Sequence, residues 1–460
     1  MKKPMKFIAV AAASLATGIA FADAESVPEV TSVNMVQGPG SRLVTITYTL
    51  SSYPAVVTLD IQTNAVANAE TGWTSIGGEY ISNARGDVWR KVDSASGTIT
   101  WRPDRSWRSA DGGGFKVPAG CSRAVVTAWA LNNTPDYMVV DISPSATSAS
   151  EKFYYPGADF LPGGIIANTD YRQNKLVMRK ILAKGVTFMR GSSKLETGRN
   201  DSGEALLSAS FTNNYYIGVF EMTQAQWANV YPTRADIAEF TAEREMRPME
   251  SIAYTELRYM APGPIYCAES EITASSASAS TYGWPNPPHG DSFLGKLRSK
   301  TGLDFDLPSE SQWEYACRAG HGSGYWGDGS AITNATSDAS LAALGRYAGN
   351  VTVTAHSRAL SPSDGGTNIC GSYEPNSWGL YDMHGNVDEF CLDTYSASPT
   401  LDAAGVASPA GNGARMPRGG KYAFAASSCR PAFRPNSNRY NSNTRARFTG
   451  FRVVCTAGLD

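Results

Sequence analysis

Short alternating stretches fill the first third of the chain, and two capped helices stand among long Gly-, Ser- and Asn-rich loops in the rest. These patterns predict an all-β domain followed by an α+β domain. At 460 residues the chain is too long for one ordinary core.

In the first third, Leu43–Leu50, Val56–Ile61, Thr98–Trp101, Arg123–Ala130 and Tyr137–Ile142 each alternate with period two. Turn residues separate them, at Gly38-Pro39-Gly40, Ser51-Ser52, Gly112–Gly114 and Asn132-Asn133. Several short strands over this length predict a sandwich of immunoglobulin or fibronectin type III kind, spanning residues 25–142. Trp73, Trp89, Trp101, Trp107 and Trp129 are either core plugs or a carbohydrate-stacking surface, and core plugs are the commoner use. Ser143–Ser150 is small and polar and opens a linker over 143–174.

The second domain covers 175–460. Thr223 with Gln226 and Ser309 with Gln312 read as capping boxes, each followed by a Trp (Trp227, Trp313) that starts an apolar face. Long aperiodic loops elsewhere call for a fastener, either disulfides or a bound cation.

Composition narrows the function. With 42% hydrophobic and 18% charged residues the chain is globular and lightly charged. A net charge of −2 with no dense Lys/Arg block argues against nucleic acid as a partner. Met1–Lys6 carries three lysines, Phe7–Phe21 is apolar, and small-x-small sites follow at Ala20–Ala22 and Ala22–Ala24. That is the pattern of a signal peptide over 1–24, and it predicts a periplasmic or secreted protein with no membrane span after cleavage. Six of the seven cysteines (Cys267, Cys317, Cys370, Cys391, Cys429, Cys455) lie in the second domain, and their spacing does not choose a pairing.

The chemistry concentrates in Gly379–Asp393. Asp382, the turn at Gly385 and Glu389 fall within eight residues, and the backbone carbonyls between them can face one point. Hard cations such as calcium take oxygens of this mixed kind. The segment resembles the Gly-Leu-Tyr-Asp-Met-x-Gly-Asn-Val-Trp-Glu-Trp signature of the sulfatase-modifying-factor, or formylglycine-generating-enzyme, superfamily. Other motifs resemble it in collinear order: Leu176–Gly191, Tyr215–Trp227, Arg247–Ile252, Leu307–Gly320, Arg418–Gly420, Cys429–Arg434 and Gly450–Val454. The resemblance implies a C-type-lectin-like α+β fold with few regular elements. It also implies structural calcium at Asp382, Gly385, Val387 and Glu389. A second calcium site would start at Asn350 and Val351 and take further ligands from Ser361–Gly366, where Asp364 is the carboxylate.

One family feature is missing. Formylglycine generation uses two thiolates near a Gly-Gly-Ser-x motif to hold copper(I). The matching stretch, Gly419–Arg430, holds Cys429 alone, with Phe424 or a neighbour where the other thiol belongs. The resemblance instead implies a Cys317–Cys429 disulfide and, as a copy of a second family bridge, Cys267–Cys455. The related sulfoxide synthases use an iron site with a His-x3-His-x-Glu motif, and His289, His321, His356 and His384 do not have that spacing. The expected function is therefore a calcium-braced binding module for a protein or glycan outside the cytoplasm, with no copper. Arg430–Arg447 is a candidate contact surface, and its bland alternative is a solvated loop. The rival is a copper-dependent oxidase, with Cys429 catalytic, that converts a sulfatase cysteine to formylglycine.

Overall fold

The computed structural model of the chain describes residues 27–107, 116–201, 203–232, 237–260, 281–352, 365–396, 401, 414–435 and 443–458. The signal-peptide residues 1–24, Cys267 and Asp364 lie outside the described residues. Among the described residues no helix is long and apolar enough to cross a membrane.

Among the described residues the first unit holds eight strands. These are β1 (Val30–Gln37), β2 (Val44–Leu50), β3 (Ala55–Thr63), β4 (Thr74–Ser75), β5 (Arg85–Gly86), β6 (Arg90–Val92), β7 (Ser96–Trp101) and β8 (Ser122–Trp129). One sheet runs β1-β2-β7-β5; the other runs β4-β3-β6, with β8 also on β3. Alternation works here as expected. In β2, Val44, Ile46, Tyr48 and Leu50 point inward, and Ile46 pairs across to Ile99. The tryptophans are mostly plugs. Trp101 is fully buried and its indole N–H donates to the Tyr80 carbonyl at 2.9 Å. Trp129 donates to Thr58 Oγ1, and Arg123 lies over the Trp73 ring.

The second unit is built on a five-stranded antiparallel sheet. Its strands are β9 (Tyr137–Asp141), β10 (Lys152–Tyr155), β11 (Lys175–Ile181), β14 (Tyr215–Gly218) and β18 (Val454–Thr456), in the order β10-β9-β11-β14-β18. Between them lie the hairpin β12 (Thr187–Arg190) and β13 (Leu207–Ser210), and a small sheet of β15 (Asp388–Thr394), β16 (Arg415–Arg418) and β17 (Thr449–Gly450). The alternating stretch Tyr137–Ile142, assigned above to the first domain, belongs here, because Val139 pairs with Val177 on β11. The stretch 143–174 is likewise more than a linker, since it supplies β10. Alternation marks a strand but not the sheet it joins, and Tyr137 to Val140 are buried on both faces.

Trp89 locks the two units together. Its N–H donates to the Val57 carbonyl at 2.7 Å, and its carbonyl accepts from Tyr154 N–H at 2.6 Å. Its ring stacks on Tyr155 with centroids 5.3 Å apart. One apolar core therefore runs from Val44 in β2 to Val454 in β18.

Among the described residues, the three longest helices pack on this frame. Gln224–Val230 and Glu310–Arg318 both start with complete capping boxes, at Thr223/Gln226 and Ser309/Gln312. Phe293–Thr301 is capped by Ser292 and ends at Gly302 with φ 70°. Trp227 stacks on Phe293 with ring centroids 4.5 Å apart, joining two of the helices.

Membership of β9 in the second sheet has a direct consequence. A fragment beginning at Lys175 exposes the edge of β11 and should aggregate, whereas one beginning at Thr134 keeps β9 and β10 and should remain monomeric. Light scattering of the two purified fragments checks this, and a monomeric, folded 175–460 fragment would contradict it.

Candidate metal centre

The Gly379–Asp393 segment sits at the middle of the second unit. Four of its residues take positive φ: Gly379 at 81°, Asp382 at 56°, Gly385 at 113° and Asn386 at 63°. A Cβ on Gly385 would lie 2.1 Å from the Arg346 carbonyl, so only glycine fits. Gly385 N–H donates to the Gly419 carbonyl, Asn386 N–H to the Arg346 carbonyl and Asp388 N–H to the Phe448 carbonyl. The segment thereby ties together three distant parts of the chain.

The expected calcium ligands have different surroundings. Asp382 is buried; its Oδ2 accepts from Gly371 N–H at 2.6 Å, while its Oδ1 has no partner among the described residues. Glu389 is engaged on both oxygens. Each lies 2.6 Å from the Arg452 guanidinium, and Trp313 Nε1 donates to Oε2 at 2.8 Å. Val387 donates its N–H to Glu221 Oε1 at 3.2 Å. At the second expected site, Asn350 Oδ1 accepts from Tyr347 N–H at 2.9 Å and its Nδ2 donates to the Gly345 carbonyl at 2.8 Å, beside Val351. Asp382 alone among these side chains presents an open oxygen.

Two residues absent from the expected ligand set lie beside Asp382. Ligand atoms of Glu221, Cys370 and Asp382 all fall within 4.8 Å of one another, and all three residues are buried. Glu221 Oε2 accepts from Asn386 Nδ2 at 2.6 Å and from the Cys370 thiol at 3.4 Å. Burial raises the Asp382 carboxyl to about 6, with Glu389 adding to the effect and the Gly371 N–H and Arg452 opposing it. Burial, then the charges of Asp382 and Glu389, push Glu221 well above the carboxylate range. Glu221 stands in Phe220-Glu-Met-Thr, just ahead of a helix cap, and Cys370 was counted only as a disulfide candidate. No local spacing links either residue to Asp382.

The motif arginines also turn inward. Arg434 holds Glu310 through Nε at 2.8 Å and Nη2 at 3.0 Å, and Arg190 reaches the same carboxylate. Arg418 bonds Glu314, which also pairs with Arg318. Arg430 bridges Glu196 and Glu204 at 2.6 and 2.7 Å. Arg445 pairs with Glu256. Arg430, Arg434 and Arg445 are thus structural rather than part of a contact surface, a correction to the reading of Arg430–Arg447; Arg439 lies outside the described residues. Burial alone would raise Glu310, but Arg434, Arg190 and Arg418 outweigh it and bring the carboxyl down to about 2.

Cys317 and Cys429 are not bonded to each other; both are buried free thiols. The Cys317 sulfur faces His384, 3.8 Å from Nδ1, while the Cys429 sulfur packs at Gly420. His384 Nε2 accepts from Gly327 N–H at 3.0 Å, so Nδ1 carries the proton and donates to the Cys429 carbonyl at 3.0 Å. Burial holds this imidazole neutral, down at about 4. Burial raises the Cys429 thiol to about 12.

Residues 170–457 match the sulfatase-modifying factor enzyme 1-like domain. The chain belongs to that family. Its second unit therefore has the family's formylglycine-generating-enzyme-like fold. A formylglycine-generating enzyme of Streptomyces coelicolor is 35% identical over 170 residues, covering 33% of this chain and 47% of that enzyme. The chain thus spans about half the length of that relative. The chaperone protein LppX of Paenibacillus barcinonensis is 24% identical over 253 residues, covering 53% of this chain and 80% of that protein. Among solved structures, Treponema denticola variable protein 1 matches 61% of this chain and 95% of its own at 21% identity, with a TM-score of 0.43.

Two buried carboxylates should shape the pH dependence of this family member in opposite ways. Folded Glu310 lies near 2, below its ordinary 4.5, so its contribution is present above 4.5 and is lost as pH falls towards 2. Burial raises folded Glu250 to about 8, against bonds from Ser251 and Phe240, so its contribution is present below 4.5 and is lost as pH rises towards 8. In urea unfolding across this range, Glu250→Gln should flatten the alkaline decline and leave the acid limb intact. An unchanged decline in the variant would contradict the burial argument.

Proposed function

We propose that this chain is an exported recognition module that uses a formylglycine-generating-enzyme-like scaffold without the copper–thiolate oxidase chemistry. The observation that carries this reading is the state of Cys429. A copper(I) site needs paired thiolates open to a substrate cysteine. Cys429 is the lone thiol of Gly419–Arg430, is fully buried, and is held in the thiol form by that burial. Phe424, where a second thiol would belong, is 44% exposed. Loss of redox groups on a retained scaffold is how a fold is reused for binding.

The ligand in this reading is a protein. Similarity to a relative named as a chaperone favours a protein over a glycan. The leading lysines and apolar run, with the small-x-small sites, support export. The two antiparallel sheets of the first unit are compatible with an immunoglobulin-like sandwich that presents or spaces the second unit. A bound cation also belongs to this reading, with Asp382 at its centre. The fit to calcium is partial: Asp382 offers an open oxygen, whereas Glu389 would have to bind the ion while keeping its two bonds to Arg452.

Similarity to a formylglycine-generating enzyme keeps the oxidase as the rival reading. Incubation of the mature protein with copper(I), dioxygen and a cysteine peptide of sulfatase type separates the two. The expected result is an unmodified peptide by mass spectrometry, together with saturable binding on an array of extracytoplasmic proteins. Formylglycine in the peptide would overturn the proposal.

A further inference from the structure

We infer that Glu221, Cys370 and Asp382 form a mixed carboxylate–thiolate site for a borderline divalent cation, zinc foremost. The inference rests on the reading that Asp382 holds a cation, and it gives that cation a different ligand set from the all-oxygen one. Three observations support it. The ligand atoms of the three side chains lie within 4.8 Å of one another, close enough to share one ion. Asp382 Oδ1 is fully buried with no hydrogen-bond partner among the described residues, an arrangement that costs stability unless something satisfies it. The Cys370 sulfur already points at this cluster, 3.4 Å from Glu221 Oε2.

The donor set selects the ion. Calcium and magnesium take oxygen ligands and have little use for a thiolate. Zinc accepts sulfur and carboxylate oxygen together in four-coordinate sites. Glu389, the carboxylate that an all-oxygen set would need, is already neutralised by Arg452.

Charge bookkeeping agrees with an ion here. Binding would displace the Cys370 thiol proton to solvent, together with any proton held between Glu221 and Asp382. The site would then hold two carboxylates and one thiolate against a divalent cation and one guanidinium. That guanidinium belongs to Arg172, which donates to the Cys370 carbonyl at 3.0 Å and is an electrostatic neighbour of both Cys370 and Asp382. Cation and arginine cancel the three negative charges, and a neutral cluster is what a buried site requires.

Because the cluster is closed to solvent, the ion must enter as the chain folds. The test uses full-length protein expressed in medium containing both zinc and calcium, then dialysed and analysed for metal. In parallel, unfolded protein is refolded with zinc, with cobalt or with calcium alone. The expected result is one zinc per chain, and a thiolate-to-cobalt charge-transfer absorption in the cobalt form. Cys370→Ser should abolish that absorption and weaken zinc retention by at least about 100-fold, more than loss of an outer-shell partner. Asp382→Asn should lose zinc but keep all cysteines, which separates ligation at the cluster from adventitious thiol binding. Circular dichroism of each variant without metal controls for folding. Zinc retained equally by folded Cys370→Ser would overturn the inference. Calcium without zinc would overturn it while leaving a cation at Asp382, and no metal of either kind would overturn both readings.

Discussion

The second unit depends on one buried ion pair. Glu389, on β15, accepts two charge-assisted bonds at 2.6 Å from Arg452. The same guanidinium donates to the Gly218 carbonyl on β14 and to the Tyr381 carbonyl, and Trp313 of the helix Glu310–Arg318 donates to Glu389. Four segments far apart in the chain, around Gly218, Trp313, Tyr381–Glu389 and Arg452, thus close on one carboxylate and one guanidinium. Buried pairs of this kind add little net stability over apolar packing, but removing one partner leaves an uncompensated charge and is costly. They fix a loop-rich chain in one arrangement, and so few regular elements suffice.

Arg418, Arg430 and Arg434 repeat the device around Glu310, Glu314, Glu196 and Glu204. All of these except Glu196 and Glu204 belong to the motifs that carry the family resemblance. The motifs therefore encode an internal charge lattice, and Cys429 is not one of its charged members. On the function proposed here, the scaffold is kept without paired thiols in Gly419–Arg430.

Much of the fold was legible locally. The capping boxes at Thr223 and Ser309, the alternating strands and the turn at Gly385 are patterns with short-range causes, and they appear as expected. Long-range partnerships were not legible. Spacing singled out Glu389 but not its partner Arg452, which lies 63 residues away. Arg430 and Arg434 looked exposed because an arginine without a visible partner usually is. β9 was assigned to the first unit because alternation does not name a sheet. At the candidate metal centre Asp382 was found by spacing, whereas Glu221 and Cys370 reach it only through the fold.

The most direct test of this account is a double-mutant cycle on Glu389 and Arg452, read as unfolding free energy in calcium and in chelator. Glu389→Gln and Arg452→Met should each cost about 3–5 kcal/mol. The double variant should lose less than their sum by more than about 1 kcal/mol, with the same values in both buffers. Additive losses, or a Glu389→Gln cost that appears only when calcium is present, would contradict the pair's role and make Glu389 a metal ligand after all.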